Sequence, residues 1–324
     1  MKVLFVTGMH ATPTFPLRGV IIQRLASALE EAGHEIQWVR LSDERGVGRY
    51  LKARSRVRQA VAEFQPDLVH LHFGYSILAV PRVPVPIVTS FHGDDLNGTL
   101  RPGGGLSVRS RVGILISHYA AWRSRATIAV SETLRNRLRF ASLRRRTAVV
   151  RDAIDTRLFH PYPRDEARRR LGADPNAFLV LFPHDVSQPT KRVELAQAAV
   201  AELQRTVPGA KLWIVNGKPA DEMPWYYSAA DVMLVTSVQE GGPSSAKEAL
   251  ACGLRVVSVP VGDVQLFRDV PEHTRMVAPD PAALAAAIRS LPPSPGGTSY
   301  LPPFLEFQTT VREIARVYQA ATGV

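Results

Sequence analysis

Val232-Met233-Leu234-Val235 is an uninterrupted apolar run, and four residues after it comes Glu240-Gly241-Gly242-Pro243-Ser244-Ser245-Ala246-Lys247-Glu248. The apolar run predicts a strand that is buried on both faces, as in a parallel sheet. The paired glycines let backbone amides approach a ligand, and Ser244 is predicted as the N-cap of a helix through Cys252. Strand, turn and helix in this order predict an open α/β sheet with a ligand crevice at the carboxyl ends of its strands.

Two carboxylates, Glu240 and Glu248, flank this predicted turn and are separated by seven residues. Glu240 lies in the loop at the end of the strand, and Glu248 lies about one turn into the helix, so both can reach one ligand. Ionised carboxylates form charge-assisted hydrogen bonds with hydroxyl groups, and a helix N-terminus favours an anion. The spacing therefore favours a ligand that carries hydroxyl groups at two places and an anionic group.

Length and composition indicate the class of protein. The chain has 324 residues, enough for two α/β domains of about 150 residues each. Hydrophobic residues make up 45% and charged residues 21%, as in globular proteins. No apolar stretch reaches the roughly 20 residues of a membrane span, and Met1–Gly8 is too short for a signal core, so we expect a cytoplasmic protein. A single cysteine, Cys252, excludes an intramolecular disulfide and a multi-cysteine metal site.

The charge is unevenly distributed along the chain. Residues 1–150 hold 22 Lys and Arg against 10 Asp and Glu, a net +12, whereas residues 151–324 hold 18 against 19, a net −1. This asymmetry predicts an anionic partner for the amino-terminal half alone. Few aromatic residues are interleaved with its arginines, so nucleic acid is not the expected partner.

Strand and helix patterns alternate along the whole chain, which predicts doubly wound parallel sheets. Residues 1–152 form the first predicted domain, which begins with the strand Lys2–Thr7. Residues 153–303 form the second, after a linker rich in helix breakers at Arg151–Pro163. The last predicted helix, at about 304–324, is expected to pack back on the first domain.

Several segments resemble the retaining glycosyltransferases of family 4, whose signature is a glutamate, seven residues and a second glutamate. The matches occur in the same order along most of the chain. They are Gly33-His34-Glu35-Ile36, Asp67-Leu68-Val69-His70-Leu71-His72, Thr89-Ser90-Phe91-His92-Gly93-Asp94-Asp95, Val150–Pro161 and Lys247-Glu248-Ala249-Leu250-Ala251-Cys252-Gly253.

This resemblance implies the GT-B fold, two facing Rossmann-like domains with an interdomain cleft. The first domain would bind the acceptor and the second a nucleotide-diphosphate sugar, with no metal and no cofactor beyond that co-substrate. By resemblance, Glu240 contacts the donor sugar, Glu248 contacts the ribose, and His92 lies beside the transferred sugar. The implied reaction retains the anomeric configuration and proceeds by front-face attack.

The diphosphate site departs from the family pattern. Family 4 supplies an arginine and, five residues on, a lysine after the first strand of the second domain. Lys191 matches the lysine, and we predict that it stabilises the leaving charge, but His184 or Asp185 stands in place of the arginine. Which residue replaces the arginine stays open, and Arg192 is one candidate.

Further site residues are predicted from the loops. On the donor side these are Gly241, Gly242, Ser244, Gly217 and Gly19, and on the acceptor side they are Arg18 and Asp95. The sequence does not distinguish between donor bases or sugars.

The acceptor class follows from the basic first half. A lipid-linked or anionic glycan fits it, as in cell-surface polysaccharide or glycolipid assembly at the inner membrane face. Two alternatives stay open: a GT-B nucleotide-sugar epimerase or phosphorylase, and a non-catalytic basic binding protein with a decayed donor site. The GxGxxG fingerprint and the GxxxxGK[ST] loop are absent, which argues against a dinucleotide enzyme and a P-loop enzyme.

Overall fold

The structure, a computed structural model, describes residues 1–12, 18–41, 48–101, 105–263, 270–292 and 297–323. It divides into two compact units. Unit 1 is Met1–Asp152 with Phe307–Val324, and unit 2 is Ala153–Glu306. Within the described ranges, no helix is both long and apolar enough to cross a bilayer.

Unit 1 is built on a six-stranded parallel sheet, counted over the described residues, with the order β2-β1-β3-β4-β5-β6. Its inner strands Leu68–His72 and Ile87–Phe91 are buried at every position, as expected where helices cover both faces of a parallel sheet. The strands are β1 Lys2–Thr7, β2 Glu35–Arg40, β3 Leu68–His72, β4 Ile87–Phe91, β5 Ala126–Ala129 and β6 Thr147–Val149. The helices between them are α1 Val20–Glu31, α2 Gly48–Phe64, α3 Asp94–Asn97, α4 Val108–Arg123, α5 Glu132–Asn136 and α6 Ala141–Arg145.

Unit 2 is built on a five-stranded parallel sheet, again over the part of the chain that is described, with the order β11-β10-β9-β7-β8. Its strands are β7 Phe178–Phe182, β8 Ala210–Ile214, β9 Val232–Val235, β10 Arg255–Ser258 and β11 Thr274–Met276. Its helices are α7 Arg164–Leu171, α8 Val193–Gln204, α9 Met223–Ala229, α10 Ser244–Ala251 and α11 Pro281–Ser290. The two Rossmann-like sheets establish the doubly wound α/β fold that the alternating pattern predicts.

The last helix, α12 Phe307–Thr322, returns to unit 1. Its apolar face packs beside α1 and over one face of the sheet, and Tyr318 is completely buried. The Tyr318 hydroxyl lies 2.7 Å from Nδ1 of His70 on β3, and Nε2 of His70 lies 2.7 Å from the Ser90 hydroxyl. Partners at both nitrogens explain how a histidine is accommodated inside a central strand.

Helix α7 is absent from the sequence prediction, which expects only a linker that ends at Pro163. The helix has no apolar stripe, since its sequence is RDEARRRL and only Ala167 and Arg168 are buried. The Arg168 guanidinium instead donates to the Asp231 carboxylate at 2.8 Å and to the Ala229 carbonyl at 2.9 Å. A buried ion pair therefore fixes this helix where apolar periodicity gives no signal.

Candidate functional site

The loops that follow β7 and β9 meet at the topological switch point of unit 2. In the strand order, β8 is the neighbour of β7 on one side. The next strand in sequence, β9, is the neighbour of β7 on the other side. In open α/β sheets, ligands bind at this point, outside the carboxyl ends of the strands. The two loops are joined here, because the Val238 amide donates to the Thr190 carbonyl at 2.8 Å and the Thr236 hydroxyl donates to the Lys191 carbonyl at 2.7 Å.

An ion pair occupies this switch point. The Lys191 ammonium donates to Oε1 of Glu240 at 2.7 Å, and the two side chains are 19% and 14% exposed. Lys191 ends a short 3-10 helix, Pro189–Lys191, while Glu240 stands in the loop after β9. The structure therefore brings together the lysine and the first glutamate of the predicted site, 49 residues apart in sequence.

The second glutamate is held by a tyrosine. The Tyr227 hydroxyl on α9 donates to Oε2 of Glu248 on α10 at 2.8 Å. Tyr227 is 1% exposed, and burial together with the nearby carboxylate raises the pKa of its phenol well above the usual value. The hydroxyl therefore stays protonated and orients the carboxylate. Sequence reasoning misses Tyr227, because its periodicity marks it only as part of the buried face of α9.

A second lysine lies under the glycine turn. Lys247 and Asp263 form a fully buried ion pair, with Nζ 2.8 Å from Oδ2. A Cβ on Gly242 would be 3.3 Å from the Lys247 ammonium, so the turn rests directly on the pair. Sequence reasoning misses this pair as well. The sequence does contain a signal: Lys247 falls on the apolar face of the predicted helix, next to Ala246 and one turn before Leu250, which are both buried.

At the carboxyl edge of unit 1, two histidines lie side by side. Nδ1 of His72, which ends β3, lies 3.2 Å from Nε2 of His92, which follows β4. Nδ1 of His92 lies 3.9 Å from the Asp152 carboxylate, and the His92 ring packs against Phe73. Burial, followed by the charges of neighbouring histidines, holds the pKa of His72 well below its usual value. His92 is therefore fixed from both sides by groups of its own unit.

Asp95 lies buried beneath this edge. Its carboxylate is completely buried and accepts from the amides of Gly93 at 3.0 Å, His92 at 3.2 Å and Gly74 at 3.2 Å. Burial raises its pKa. Three backbone amides thus donate to the oxygens of Asp95, and its predicted place on the acceptor side stays a prediction. Asp95 closes the turn that presents His92.

Two family profiles match the chain. The profile described as Glycosyltransferase Family 4 matches residues 19–158, and the one described as Glycosyl transferases group 1 matches residues 188–292. The chain belongs to the group 1, family 4 glycosyltransferases. His72 and His92 of unit 1 lie within the first matched segment, and Lys191, Glu240 and Glu248 of unit 2 lie within the second.

Curated relatives of this family member are named D-inositol 3-phosphate glycosyltransferase. The one from Geodermatophilus obscurus is 29% identical over 267 residues, which cover 69% of this chain and 59% of that protein. One of two from Catenulispora acidiphila is 26% identical and is matched over 79% of this chain and 70% of its own length. The chain thus spans about three fifths of the length of the Geodermatophilus relative.

Solved structures establish the GT-B fold of this family member. The sucrose-phosphate synthase of Thermosynechococcus elongatus superposes with a TM-score of 0.71 at 17% identity, over 99% of this chain and 94% of that one. HepE of Anabaena, solved with UDP and glucose, superposes with a TM-score of 0.64 at 17% identity, over 100% of this chain and 95% of that one.

Arg192, one candidate for the role of the family's diphosphate arginine, contacts the backbone of the loop after β9. Its Nε donates to the Thr236 carbonyl at 2.5 Å and its Nη2 donates to the Ser237 carbonyl at 3.2 Å. Burial lowers the pKa of the guanidinium. These contacts join the β7 and β9 loops next to Lys191, and whether Arg192 also meets the diphosphate stays a prediction.

The arginine's position holds a neutral imidazole. His184 is nearly buried, and burial, followed by the positive charge of Lys191, lowers its pKa to about 3. Its Nε2 is buried and meets no hydrogen-bond partner among the described residues. Asp185 is occupied separately, since it accepts from the Ser187 amide at 2.9 Å. In this family member, Lys191 is therefore the formal cation next to Glu240.

The remaining predicted donor residues fall at loop and helix ends. Ser244 is the first residue of α10, and the N-cap is Pro243, so the predicted capping role of Ser244 is wrong. Pro243 takes the cap position because the turn after Gly242 is tight. Gly241 packs near Gly262, and Gly217 lies exposed in the loop after β8.

The loop after β1 approaches α1 closely. Gly19 has φ 74°, and a Cβ there would be 2.3 Å from the Met9 carbonyl oxygen, so only glycine fits. Arg18 donates from Nε to the Met9 sulfur at 3.3 Å and is half-buried. Both residues therefore lie at the switch point of unit 1, between β1 and β3.

Proposed function

We propose that this chain transfers a sugar from a nucleotide-diphosphate donor to a hydroxyl acceptor, with retention of configuration and without a metal. The Lys191–Glu240 ion pair at the switch point of unit 2 carries the proposal, because it places a cation and a hydroxyl-binding carboxylate in the ligand crevice. The HepE structure supports the donor class, since it was solved with UDP and glucose.

Lys191 has the central role in the proposed donor site. A departing diphosphate develops negative charge, and a preorganised cation aimed at that charge contributes about 3 kcal/mol to transition-state stabilisation. In the free protein the ammonium is neutralised by Glu240. When donor binds, the phosphates take over the ammonium and Glu240 is released to accept from the sugar hydroxyls.

His184 is proposed to take over part of the missing arginine's work. Its imidazole is neutral, and Nε2 has no partner among the described residues. A phosphate oxygen close to Nε2 would accept a hydrogen bond there and would raise the pKa of the ring from its depressed value. A neutral donor group gives less charge compensation than arginine, so we expect weaker binding of the nucleotide diphosphate than an arginine would provide.

Glu248 is proposed to hold the ribose. The Tyr227 hydroxyl fixes one of its oxygens, which sets the direction of the carboxylate before the nucleotide arrives. Two ribose hydroxyls donating to an oriented carboxylate form charge-assisted bonds. Gly217, in the loop after β8, is proposed to meet the base through its backbone.

Retention follows if the acceptor attacks from the face that the phosphate leaves. The bond between the anomeric carbon and the phosphate oxygen breaks while the acceptor oxygen bonds to the same face of that carbon. The acceptor's proton passes to the departing phosphate oxygen, so the protein need supply no base. Glu240 and Lys191 then hold the sugar and the phosphate in place during the exchange.

The acceptor is proposed to be anionic, because unit 1 carries the positive charge of the chain. The curated relatives are named for D-inositol 3-phosphate, a phosphorylated polyol. A lipid-linked or anionic glycan has the same chemistry. Either would meet the edge of unit 1 near His92 and Arg18.

The test begins with binding. Purified chain is melted in the presence of UDP, GDP and ADP and of their sugars, and at least one pair raises the melting temperature if the proposal holds. Transfer is then measured with that sugar and D-inositol 3-phosphate, with and without EDTA. Release of nucleotide that depends on acceptor and survives EDTA supports the proposal, and loss of activity with EDTA contradicts its metal-independence.

The alternatives give different results in the same assay. Donor alone converted to an epimer indicates an isomerase, and sugar phosphate formed from inorganic phosphate indicates a phosphorylase. If no nucleotide or nucleotide sugar shifts the melting temperature, the donor site has decayed and the enzymatic proposal fails.

A further inference from the structure

Helix α4 exposes a continuous apolar stripe. Large apolar side chains recur every three to four residues along one face, and the most exposed are Val108 at 70%, Leu115 at 66% and Trp122 at 69%. At 100° per residue the stripe covers an arc of about 80° and extends for about 21 Å along the helix. Its members are Val108, Val112, Leu115, Tyr119 and Trp122.

The buried face of the same helix is made of small residues. A Cβ on Gly113 would lie 2.6 Å from the Tyr75 ring, and a Cβ on Gly74 would lie 2.4 Å from the Ser117 hydroxyl. The helix thus packs closely on the segment Gly74–Ala79 and cannot turn its large side chains inward. This reverses the usual arrangement, in which large apolar residues face the core. The buried residues are Ser110, Gly113, Ser117, Ala120 and Ala121.

An arginine-lined cavity adjoins the end of this stripe. It has a volume of about 480 Å³ and opens beside Ser124, two residues after Trp122. Among the described residues that line it, none is acidic. The lining residues with charge are Arg82, Arg123, Arg125 and Arg146.

The four arginines differ in whether their guanidiniums are hydrogen-bonded to the protein. Arg123 donates to the carbonyls of Val80 and Pro81, and Arg146 donates to the Ala121 carbonyl, so these two guanidiniums are fixed against the backbone. Arg82 and Arg125 are exposed, and within the described residues their guanidiniums donate to no acceptor. The cavity therefore presents two guanidiniums bound to the backbone and two exposed guanidiniums that can meet an anion.

Basic side chains also flank the stripe. By helix geometry, Arg111 lies about 60° to one side of the stripe's centre and Arg123 about 60° to the other. Apolar side chains flanked by basic residues are typical of helices that lie in a membrane interface, with the apolar face among the lipid chains and the basic groups at the phosphates.

We propose that the α4 stripe and the adjoining arginine cavity form a docking surface for an anionic phospholipid bilayer. The stripe enters the interface, and the cavity takes a headgroup phosphate. Charge complementarity favours a lipid surface over a second copy of the chain, because another copy would bring the same +12 half of the sequence against the arginines.

Vesicle flotation tests the proposal. The intact chain is mixed with vesicles of phosphatidylcholine alone or of phosphatidylcholine and phosphatidylglycerol in equal parts. Binding to the mixed vesicles, weak binding to phosphatidylcholine and partial release by salt are expected, since salt screens the arginines but leaves the apolar contact. Equal binding to both vesicles, or none to either, overturns the proposal.

Matched variants separate the two parts of the surface. Arg82→Ala with Arg125→Ala weakens binding about five-fold for each charge removed. Arg54→Ala with Arg58→Ala, on exposed positions of α2, removes the same charge from the same unit and changes binding much less. If both pairs of substitutions weakened binding equally, general electrostatic attraction between the basic unit and the vesicle would explain the binding. That result would overturn the role of the cavity.

Leu115→Asp tests the stripe, and Ile214→Asp, an exposed apolar position in unit 2, is its control. The first variant loses vesicle binding and keeps the wild-type melting temperature, while the second keeps both. Light scattering of the wild-type chain checks the rival occupant. A dimer that Leu115→Asp dissociates, with no vesicle binding, would assign the stripe to a second copy and overturn the proposal.

Tryptophan emission locates the contact. Trp122 shifts to shorter wavelength when anionic vesicles are added, and bromine-labelled lipid quenches it. The Trp122→Phe variant keeps the other three tryptophans and loses both signals. A blue shift and quenching that persist in Trp122→Phe would place the membrane contact elsewhere and contradict the assignment of this face.

Discussion

The carboxyl edges of the two sheets carry different charged and polar side chains. In unit 2 the edge holds two lysine–carboxylate pairs, Lys191 with Glu240 and Lys247 with Asp263. In unit 1 the same edge holds the buried His72, whose pKa is depressed, and the Asp95 carboxylate, whose oxygens accept from backbone amides. Paired lysines therefore lie at the edge of the unit that has almost no net charge, whereas histidines and carboxylates lie at the edge of the basic unit.

This contrast separates two uses of positive charge. The excess arginines of unit 1 lie largely at exposed helix and loop positions. There they contribute together to a positive electrostatic potential over the surface of the unit. The lysines of unit 2 are few, and each is placed by hydrogen-bonded loops or by a buried partner. Net charge thus supports the proposed contact of unit 1 with an anionic surface, whereas the fixed lysine beside a carboxylate supports the proposed phosphate site of unit 2.

The largest effect is expected from Lys247→Met. It leaves Asp263 as an unpaired buried carboxylate, and breaking a buried pair in this way costs about 3–5 kcal/mol of unfolding free energy. Lys211→Met, which removes an exposed pair with Asp174, is the control and costs much less, because solvent screens that pair. Urea unfolding measures both. Equal losses would show that the inner charges of unit 2 are no more costly than its surface charges.

The double variant Lys247→Met with Asp263→Leu sharpens this result. Replacing both members of a buried pair by apolar groups is close to neutral, so most of the lost stability should return. A double variant as unstable as Lys247→Met would mean that the cost comes from packing under Gly242 and not from charge.

Lys191→Ala is expected to lower transfer about 100-fold or more, which corresponds to a loss of about 3 kcal/mol in transition-state stabilisation. The unfolding free energy should change little, because Lys191 lies at the edge and retains solvent contact. Lys218→Ala, at an exposed position after β8, is the control and keeps its activity. Wild-type rates in Lys191→Ala and in Glu240→Ala would remove the ion pair from the mechanism.

Acid should destabilise both units through their neutral histidines. His70 and His184 have pKa values of about 3 in the folded protein, so between about 6.5 and 3 the unfolded chain binds more protons than the folded one. Stability therefore falls as the pH is lowered through this window, by about 2 kcal/mol per histidine at pH 5. His184→Gln should lose less stability than wild type between pH 7 and pH 5. An unchanged difference in urea midpoints would contradict the buried neutral state of His184.

The smallest effect is expected from Tyr227→Phe. Removing the hydroxyl takes one hydrogen bond from Glu248, so the binding of nucleotide diphosphate should weaken by about 1 kcal/mol, or about five-fold. Calorimetric titration measures the change, and Tyr226→Phe on the same helix is the control. Unchanged affinity in Tyr227→Phe would show that Glu248 needs no orienting partner.

The sequence is sufficient to predict the strands and the glutamate pair, because these depend on local patterns. Strands such as β7 and β9 occur where apolar runs predict them, and Lys191 and Glu240 follow them directly. A strand that is buried on both faces can be recognised from its continuous run of apolar residues. The residues at the loops after neighbouring strands are then placed together by topology.

The partners of these residues could not be predicted in the same way. Tyr227 reaches Glu248, and Asp263 reaches Lys247, through tertiary contacts that leave no periodic signal. The capping role predicted for Ser244 is wrong, because Pro243 takes the cap position although the Ser244 side chain suits it. The three backbone amides that donate to Asp95 also leave no periodic signal in the sequence.

The return of α12 to unit 1 reverses the expected order of folding during synthesis. Domains usually form from the amino terminus as the chain leaves the ribosome. Here unit 1 lacks Tyr318, and with it the partner of His70, until Phe307–Thr322 has been translated. Unit 2 is continuous from Ala153 to Glu306 and contains all of its own elements before that point. Unit 1 is therefore begun before unit 2 and completed after it.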